Sequence, residues 1–432
     1  MSKKTARVYI ETLGCPRNDC DSEAIISILE DSKFEIVNSP EEAPFIIING
    51  CAFIEEAVSQ SIESILTLSQ RNPSATLIVV GCLAERYKEK LKEALPEIDI
   101  LVGTGALMRI VDAIQGNKSI LSSNEGFIGK NIYKKHHTTP PHYRYIKIQE
   151  GCNYECSFCI IPTLKGSSHS KPLEAIKEEV NNLTPEVREI ILVGQDTSSW
   201  GQDIYGKPSL DYLLREISSL FPHWIRVLYL HPLTVSEPLL RTISTISNVL
   251  NYLDIPLQHI SNSVLKAMKR GYDKSFIKKL LNSVQRIDDF TIRTTFIVGF
   301  PTEREDDLEE LRSFIKNSNL DRIGLFKYSR EEGSESYYMR GHYEKTIKKR
   351  FKSLYILIQK KMIKRNRELL GRNVMVLMDG REQGEYYGRT KSDAPEIDQV
   401  VWIKGNKDIK IGEFYNVNIT DSLESELMGK VI

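Results

Sequence analysis

Hydrophobic and polar residues alternate along this chain with two periods, one typical of strands and one typical of helices. In the first part, residues 5–127, short apolar runs alternate with stretches of helical periodicity. The apolar runs are 7–12, 45–48 and 77–80, and the helical stretches are 22–29, 54–69 and 87–95. This alternation predicts a parallel sheet with helices on both faces, in a chain of the α/β class. Ligands of such sheets bind outside the carboxyl ends of the strands.

The same alternation continues in the second part, residues 138–344. Six strands are predicted, each followed by helical periodicity, at 143–149, 189–193, 225–230, 252–255, 291–298 and 322–328. Six strand–helix units predict a partial (βα)6 barrel with its active site at the carboxyl ends of the strands. The polar stretch 119–141, between the two parts, is predicted to be a linker.

The last part of the chain changes character twice. Residues 345–370 show helical periodicity with one apolar stripe, and positions 344–367 carry ten Lys or Arg against one Glu. This is either a solvated connector helix or a surface that attracts RNA weakly. From 371 to 432 short strands separated by glycine- and asparagine-containing turns predict a small antiparallel β-barrel.

Three cysteines directly after the first strand of the second part indicate a metal centre. Cys152, Cys156 and Cys159 have the spacing Cys-x-x-x-Cys-x-x-Cys. A loop of this kind folds three thiolates around one point, and thiolates suit iron and iron–sulfur clusters. Three ligands are one short of the four that a [4Fe–4S] cube needs, so one iron is left open. A zinc site with a fourth ligand nearby, or three unpaired core thiols, are the alternatives.

A second set of cysteines is dispersed over the first part. Cys15, Cys51 and Cys82 each follow a predicted strand and are each preceded by a glycine. Equivalent strand ends converge in a parallel sheet, so these three residues predict a second cluster. Cys20 breaks the pattern, because it falls at the start of a helix, and we interpret it as structural.

Polar residues also follow the later strands, where a core role stops. Gln195 and Asp196 come after the second strand of the predicted barrel, and Gln258 comes after the fourth. A generic turn needs glycine and asparagine, so these residues indicate contact with a ligand.

Charge and composition say little about the partner of this protein, but they bear on membrane insertion and on cellular location. The chain has 58 basic and 58 acidic residues among 432, so net charge names no partner. No apolar run approaches the roughly 20 residues of a membrane span, and no signal-peptide core follows the first Met. Free cysteines beside a reducing cluster imply a reducing setting, so the protein is expected to be cytoplasmic, with no membrane partner.

The compact cysteine loop resembles that of the radical S-adenosylmethionine (SAM) superfamily. Together with a dispersed N-terminal set, it resembles the methylthiotransferases of that superfamily. The motifs are Gly14-Cys15-Pro16-Arg17-Asn18, Asn49-Gly50-Cys51 and Gly81-Cys82. The resemblance implies an N-terminal methylthiotransferase domain (5–127), a radical SAM core (138–344), a connector helix (345–370) and a TRAM domain (371–432).

The resemblance also implies the cofactors and their ligands. Two [4Fe–4S] clusters would be held by the two cysteine sets, and the set with Cys152 would cleave SAM to give a radical. Gln195 and Asp196 occupy the superfamily's position for the SAM amino group. The adenine-side motif contains Val298 and Gly299, and Phe158 would offer its backbone to the adenine.

A C-terminal segment points to the substrate. Residues 393–398 are similar to the Asp-Ala-Pro-Glu-x-Asp signature of the branch that modifies ribosomal protein S12, free or in the small subunit. Residues 371–432 contain eight Lys or Arg and eleven Asp or Glu. An RNA-binding module is normally basic, so this one is expected to bind something positive. We expect Asp393, Glu396 and Asp398 to face solvent and to contact the basic substrate.

The implied activity is methylthiolation of the β-carbon of an aspartate in that ribosomal protein, with electrons from a donor such as flavodoxin or ferredoxin. One rival hypothesis is an enzyme that methylthiolates isopentenylated adenosine in transfer RNA. Another is a non-catalytic iron–sulfur protein that binds ribosomes.

Overall fold

A computed structural model of the chain describes residues 6–121, 138–287, 289–404, 408–423 and 426–432. Most of the predicted linker, residues 122–137, lies outside this described part. None of the helices it contains is long and apolar enough to cross a membrane. The four domain boundaries given above stay a prediction.

Five parallel strands form the sheet of the N-terminal region. Its strands and helices, in chain order, are β1 (Arg7–Thr12), α1 (Pro16–Asp31), β2 (Glu35–Ile36), β3 (Phe45–Gly50), α2 (Glu55–Arg71), β4 (Thr76–Gly81), α3 (Cys82–Tyr87), α4 (Glu89–Ala94), β5 (Ile100–Val102) and α5 (Ile110–Gly116). The strand order is β2-β1-β3-β4-β5, and every neighbouring pair is parallel. The buried, β-branched strands carry apolar clusters on both faces of this sheet, as predicted.

The strand order places a crevice at one point of this sheet. The chain runs from β1 to the edge strand β2 and returns to β3 on the other side of β1. The direction in which successive strands are added to the sheet reverses between β1 and β3. Ligands of doubly wound sheets bind at such a point, outside the carboxyl ends of the strands. The loops after β1, β3 and β4 carry the three N-terminal cysteines.

The central region is a curved parallel sheet with helices outside. Its elements are β6 (Tyr143–Lys147), β7 (Gln149–Glu150), α6 (Ile161–Lys165), β8 (His169–Ser170), α7 (Leu173–Asn181), β9 (Glu189–Val193), α8 (Gln202–Tyr205), α9 (Leu210–Ser218), β10 (Trp224–Val227), α10 (Glu237–Thr245), β11 (Tyr252–Asp254), α11 (Asn262–Ala267), α12 (Lys274–Gln285), β12 (Thr291–Val298), α13 (Glu305–Asn317) and β13 (Arg322–Lys327). The order is β6-β9-β10 and then β11-β12-β13, joined by a parallel bridge between Ile225 and Val249. The predicted partial (βα)6 barrel is confirmed.

Both flanking regions reach the interior of this barrel. The interior cluster contains inward-facing residues such as Tyr145, Ile191 and Leu228. It also contains Cys20 from α1 and Ala394 from the C-terminal region, both almost fully buried. A six-strand barrel is not closed on itself, so the neighbouring regions complete its packing.

A long helix and a closed barrel end the chain. The helix is α14 (Glu344–Arg367), and the strands are β14 (Asn373–Glu382), β15 (Glu385–Thr390), β16 (Val401–Ile403), β17 (Phe414–Leu423) and β18 (Glu426–Val431). The apolar stripe of α14 packs on the central core through Leu354 and Ile358. The barrel order is β14-β15-β16-β18-β17. β18 is a strand that the sequence pattern did not predict, and its pairing with β16 is parallel.

The structure corrects the prediction for the acidic segment 393–398. Asp393 is fully buried, and its Oδ1 accepts hydrogen bonds from Arg322 at 2.6 and 2.9 Å. Asp398 has a side chain only 3% exposed, 3.3 Å from Arg293, and accepts from the Tyr252 hydroxyl at 2.6 Å. Substrate contact by this segment stays a prediction, but the expectation that Asp393 and Asp398 face solvent is therefore wrong. The positive groups they meet belong to the barrel itself.

Glu396 is the exposed member of the segment. Its Oε1 accepts a hydrogen bond from the Tyr143 hydroxyl at 3.0 Å, so it too is directed towards the barrel. We call residues 389–398 the plug, because they cover the amino-terminal ends of the barrel strands. Arg389 of the plug pairs with Glu189, the first residue of β9, at 2.7 Å. Two of the three carboxylates of this segment, those of Asp393 and Asp398, are thus neutralised inside the molecule.

Candidate functional site

The three N-terminal cysteines lie together at the reversal point of the first sheet. Cys15 caps α1, Cys51 directly follows β3, and Cys82 opens α3 after β4. Gly14 has φ +107°, and a Cβ built on it would lie 2.6 Å from the Cβ of Cys51. Glycine is therefore required for the loops of Cys15 and Cys51 to touch.

The thiols of this set influence one another. Burial raises the pKa of Cys82 to about 12; nearby Lys165 lowers it, while Cys51 and Cys15 raise it further. Burial also raises the pKa of Cys51. Burial acts in the same direction on Cys15, but the adjacent Arg17 guanidinium outweighs it and lowers the pKa of that thiol. Cys51 and Cys82 would remain protonated at neutral pH without a metal, because burial disfavours their thiolates and metal binding would stabilise them.

The second set occupies the loop between β7 and α6. Gly151 opens the loop with φ +76°, and a Cβ there would lie 2.0 Å from the Ser167 carbonyl oxygen. Burial raises the pKa of Cys152 to about 11 and that of Cys159 to about 12. The Arg270 guanidinium donates to Cys156 Sγ at 3.1 Å. Residues 166–167 pack against the start of the loop, where the Cys152 amide donates to Gly166 O at 3.2 Å.

Both sets offer thiol ligands of the kind that iron–sulfur clusters use. Within the described ranges, no three His, Cys, Asp or Glu side chains stand close enough to share one ion. Thiolates on a cube each bind a different iron and so stand farther apart than ligands of zinc. N–H groups also point at the sulfurs, from Arg17 to Cys15 at 3.4 Å and from the Ile161 amide to Cys159 at 3.4 Å. Such hydrogen bonds tune cluster potentials.

Helix α6 joins the two sets. It begins two residues after Cys159, and its Leu164 packs in the same apolar cluster as Cys82. The Leu164 carbonyl also accepts from the Thr104 hydroxyl at 2.6 Å. The loop that carries one cysteine set is thus anchored in the core beside the other set.

A buried quartet of charges reinforces this junction. Asp21 of α1 pairs with Lys147 and, at 3.2 Å, with Lys165. Glu150 pairs with the same two lysines, at 3.0 Å in the case of Lys165. All four side chains are at most 6% exposed, and the two charges of each sign cancel. Burying ions costs several kcal/mol each unless they are fully paired, so this pairing holds the N-terminal and central regions in one register.

The polar residues after the second and third barrel strands leave buried polar atoms without partners in the described part of the chain. Asp196 is 2% exposed; its Oδ1 accepts from Ser198 at 2.6 Å, and its Oδ2 is buried with no partner in the described part of the chain. The Oε1 of Gln195 and the Nε2 of His231 are in the same situation. Burial raises the pKa of Asp196, so an incoming ammonium group would stabilise its ionised form.

His231 and Tyr154 lie next to Asp196. Their rings stack with centroids 3.6 Å apart, and Tyr154 lies between Cys152 and Cys156 in sequence. Burial lowers the pKa of His231 to about 2, and Arg270 adds to this effect, so the imidazole is neutral. Stacked neutral rings beside a carboxylate suit an organic cation of the size of SAM.

The remaining predicted cofactor residues offer mainly backbone. Gln258 has φ +67°, and its backbone pairs with β12, donating to Thr295 O at 2.8 Å. Val298 is fully buried in the central core, and Gly299 (φ +84°) lies against Ile347 of α14. The Phe158 ring packs on the apolar cluster of Val264, Met268 and Phe300. Cofactor contact by these four residues stays a prediction.

Several residues at the site were not assigned from the sequence. Arg270 reaches Cys156 across 114 positions, and no local pattern marks that contact. His231 and Tyr154 lie in stretches that the sequence did single out, the third strand end and the cysteine loop. Their stacking depends on how those stretches meet in space. Arg17 lies in a recognised motif, but its contact with Gly194 O at 3.1 Å is again a long-range one.

Comparisons with known proteins agree with this geometry. The profile described as "Radical SAM superfamily" matches residues 146–315, the one described as "Uncharacterized protein family UPF0004" matches 7–103, and the one described as "TRAM domain" matches 370–432. The fold is similar to that of TsrM, a radical SAM methyltransferase from Kitasatospora setae (TM-score 0.59, 14% identity, covering 75% of this chain and 73% of that one). It is also similar to OxsB, a cobalamin-dependent radical SAM enzyme (TM-score 0.53, 12% identity, covering 83% and 56%). The barrel and its cysteine loop define a radical SAM enzyme.

Full-length relatives identify the family within that class. The chain is 41% identical over 432 residues, covering 98% of this chain and 99% of the relative, to the protein named ribosomal protein uS12 methylthiotransferase RimO in Caldanaerobacter subterraneus subsp. tengcongensis. It is 37% identical to the protein of the same name in Clostridioides difficile, covering 99% of each chain. The chain belongs to the RimO family of radical SAM methylthiotransferases.

Proposed function

We propose that this enzyme methylthiolates the β-carbon of an aspartate in ribosomal protein S12, using two [4Fe–4S] clusters and SAM. The observation that carries the proposal is the junction of the two cysteine sets. Arg17, two residues from Cys15, donates to the carbonyl of Gly194, the residue before Gln195 and Asp196. A reaction that combines a radical with a transferred sulfur group needs such closeness.

The chain provides ligands and a shaped environment for this chemistry. Cys15, Cys51 and Cys82 would hold one cluster, and Cys152, Cys156 and Cys159 would hold the other. When bound, the clusters and SAM supply the reducing electron, the hydrogen-atom abstraction and the methylthio group. Hydrogen-atom abstraction needs no general base.

The residues around the second cysteine set would orient SAM. Asp196 presents its unpartnered Oδ2 to the amino group, and Gln195 presents its unpartnered Oε1 beside it. The stacked His231 and Tyr154 rings would lie beside the bound SAM. The positive charge of the Arg270 guanidinium lies beside Cys156 Sγ and would favour the reduced, more negative cluster. The electron would come from a cytoplasmic donor such as flavodoxin or ferredoxin.

Mass spectrometry tests the substrate. Ribosomal protein S12 from a strain lacking this gene is expected to lose the mass of one methylthio group on one aspartate. Reintroducing the gene should restore it, whereas a copy with Cys152, Cys156 and Cys159 changed to alanine should not. An unchanged S12 mass in the deletion strain would refute the proposal.

A transfer-RNA substrate is the second candidate, and two observations favour it. One is the match of residues 370–432 to the TRAM domain profile. The net negative charge of this region does not by itself decide between a protein and an RNA partner. The other is the exposed basic face of α14, with Lys345, Lys349 and Lys352 in solvent. Nucleoside analysis of transfer RNA from the same deletion strain separates the candidates. Loss of a methylthioadenosine with intact S12 modification would support RNA.

A further inference from the structure

Arg17 is a partly buried arginine between the loop of Cys15 and the end of the second barrel strand. Its Nε donates to Cys15 Sγ at 3.4 Å and its Nη1 donates to Gly194 O at 3.1 Å. In the described part of the chain it has no carboxylate partner and its Nη2 has no acceptor. The guanidinium therefore has N–H groups to spare, and part of its side chain is accessible.

Two buried arginines, Arg144 and Arg270, donate to hydroxyls, backbone carbonyls and, for Arg270, Cys156 Sγ. Five others are neutralised by carboxylates. These ion pairs are Arg226 with Glu189, Arg293 with Asp254, Arg322 with Asp393, Arg350 with Glu303 and Arg389 with Glu189. A guanidinium that is partly removed from water attracts an anion more strongly than one in bulk water, because the charges are less screened there. Arg17 thus differs from these five in leaving room for a carboxylate from outside the chain.

Tyr229 holds the guanidinium in place. The Arg17 Cζ lies 4.8 Å from the centroid of the Tyr229 ring, a cation–π distance. Tyr229 follows β10 and has φ +62°, a left-handed conformation that strains the backbone of a tyrosine. Its amide donates to Asp254 Oδ2 at 3.0 Å, and its carbonyl accepts from the Thr197 amide at 3.1 Å. The strained backbone at a strand end directs the ring towards Arg17.

The position of Arg17 matches that of the reacting carbon. It contacts a ligand of one proposed cluster at Cys15 and the backbone that precedes the SAM residues at Gly194. The substrate carbon loses a hydrogen atom to the radical formed from SAM and then gains the sulfur group. It must therefore lie between the residues that would bind SAM and the cluster beside Cys15. In an aspartate, the carboxylate is bonded directly to the β-carbon.

We propose that Arg17 binds the carboxylate of the substrate aspartate and so sets the specificity of the enzyme for that side chain. This inference rests on the proposed function. Arginine pairs with carboxylates through two parallel hydrogen bonds, which fixes orientation as well as position. Ribosomal proteins are basic. An arginine beside the reacting carbon therefore attracts the rare acidic side chain and repels neighbouring lysines.

A double-mutant cycle tests the contact. The full-length, anaerobically reconstituted enzyme and its Arg17→Met variant are each titrated with two fluorescent S12 peptides. One peptide contains the aspartate that the wild-type enzyme modifies, and the other has asparagine there. The wild-type enzyme is expected to bind the aspartate peptide roughly tenfold to a hundredfold more tightly. Arg17→Met should bind both peptides equally, and Arg17→Lys should keep part of the preference.

Controls separate this contact from damage to the site. Iron content of each variant reports whether the cluster beside Cys15 survives. Arg109→Met removes an exposed arginine of the same region, which pairs with Asp112 at 3.5 Å, and should keep the full preference. Should Arg17→Met lose iron, Tyr229→Leu provides a second variant, which retains the arginine but not its support, and is expected to reduce the preference.

The outcomes distinguish the inference from its premise. Equal binding of both peptides by the wild-type enzyme, or an undiminished preference in an iron-loaded Arg17→Met variant, would overturn the role of Arg17. If equal loss of affinity for both peptides followed the substitution, the guanidinium would serve the cluster or its sulfur and not the substrate. A wild-type enzyme that modifies no S12 at all would instead refute the proposed function.

Discussion

Arg322 and Asp393 join the start of the last barrel strand to the C-terminal region, with two guanidinium nitrogens 2.6 and 2.9 Å from one carboxylate oxygen. The second oxygen of Asp393 accepts from the Thr390 hydroxyl at 2.5 Å. Both residues are buried, so neither exchanges its partner for water. The pair fastens the plug to the barrel.

Asp393→Asn is therefore expected to lower the free energy of unfolding by about 3–5 kcal/mol, because it leaves the Arg322 charge buried without its partner. Denaturant unfolding of the full chain measures this. The matched control is Glu396→Gln in the same segment, whose exposed side chain should change stability by about 0.5 kcal/mol or less. Unaltered stability of Asp393→Asn with weakened binding of ribosomal protein would indicate a substrate role for this carboxylate.

The two cysteine sets are expected to give separable losses. The wild-type enzyme should carry about eight irons, four per cluster. Changing Cys152, Cys156 and Cys159 to alanine should leave about half the iron and abolish SAM cleavage. Changing Cys15, Cys51 and Cys82 should also leave about half, but SAM cleavage should continue without methylthiolated product. Iron assay and chromatography of 5′-deoxyadenosine measure both. SAM cleavage at the wild-type rate in the first variant would mean that the radical site is misassigned.

Cys20→Ala should retain all the iron. Cys20 is 3% exposed inside the barrel interior, where its thiol contacts the Tyr145 carbonyl oxygen at 3.4 Å, away from both cysteine sets. Loss of its sulfur leaves a small cavity, so a destabilisation of roughly 1 kcal/mol is expected. Iron assay and thermal unfolding check the two parts. A variant that lost half its iron would show that Cys20 is a ligand.

Gly151→Ala should disrupt the cysteine loop. The new Cβ would lie 2.0 Å from the Ser167 carbonyl oxygen, which belongs to the backbone and cannot move without displacing residues 166–167. Iron content is expected to fall by about half, and SAM cleavage should be lost. Gly206→Ala is the control, since Gly206 has a similar φ of +74° but no atom within 4 Å of the new Cβ. That variant should lose only about 1 kcal/mol and keep its iron. Equal behaviour of the two variants would contradict the steric argument.

The fold was largely predictable because its elements have clear periods. Alternation of strands and helices indicated the N-terminal sheet and the six barrel strands. β18 was missed because it is recognised only when the barrel closes, through an unusual parallel pairing with β16. Sequence periodicity reports which face of a strand is buried, but it does not report which strand lies beside it.

The cysteines were predictable for a different reason. Cys15, Cys51 and Cys82 each follow a strand, and the ends of parallel strands meet at one edge. The error at Asp393 shows where such reasoning stops. A charged run in a loop is read as exposed, yet its partner Arg322 lies 71 residues earlier in the chain. Neither charge alone reveals that the other is buried beside it.

The plug also has a consequence for the order in which the protein is made. Arg322 emerges from the ribosome well before Asp393, and the barrel interior lacks Ala394 until nearly the whole chain has been synthesised. The central region therefore cannot reach its final packing during translation, whereas the N-terminal sheet can. A ribosome paused near residue 370 would hold a chain with a finished first domain and an open barrel, a species that chaperones and proteases would recognise.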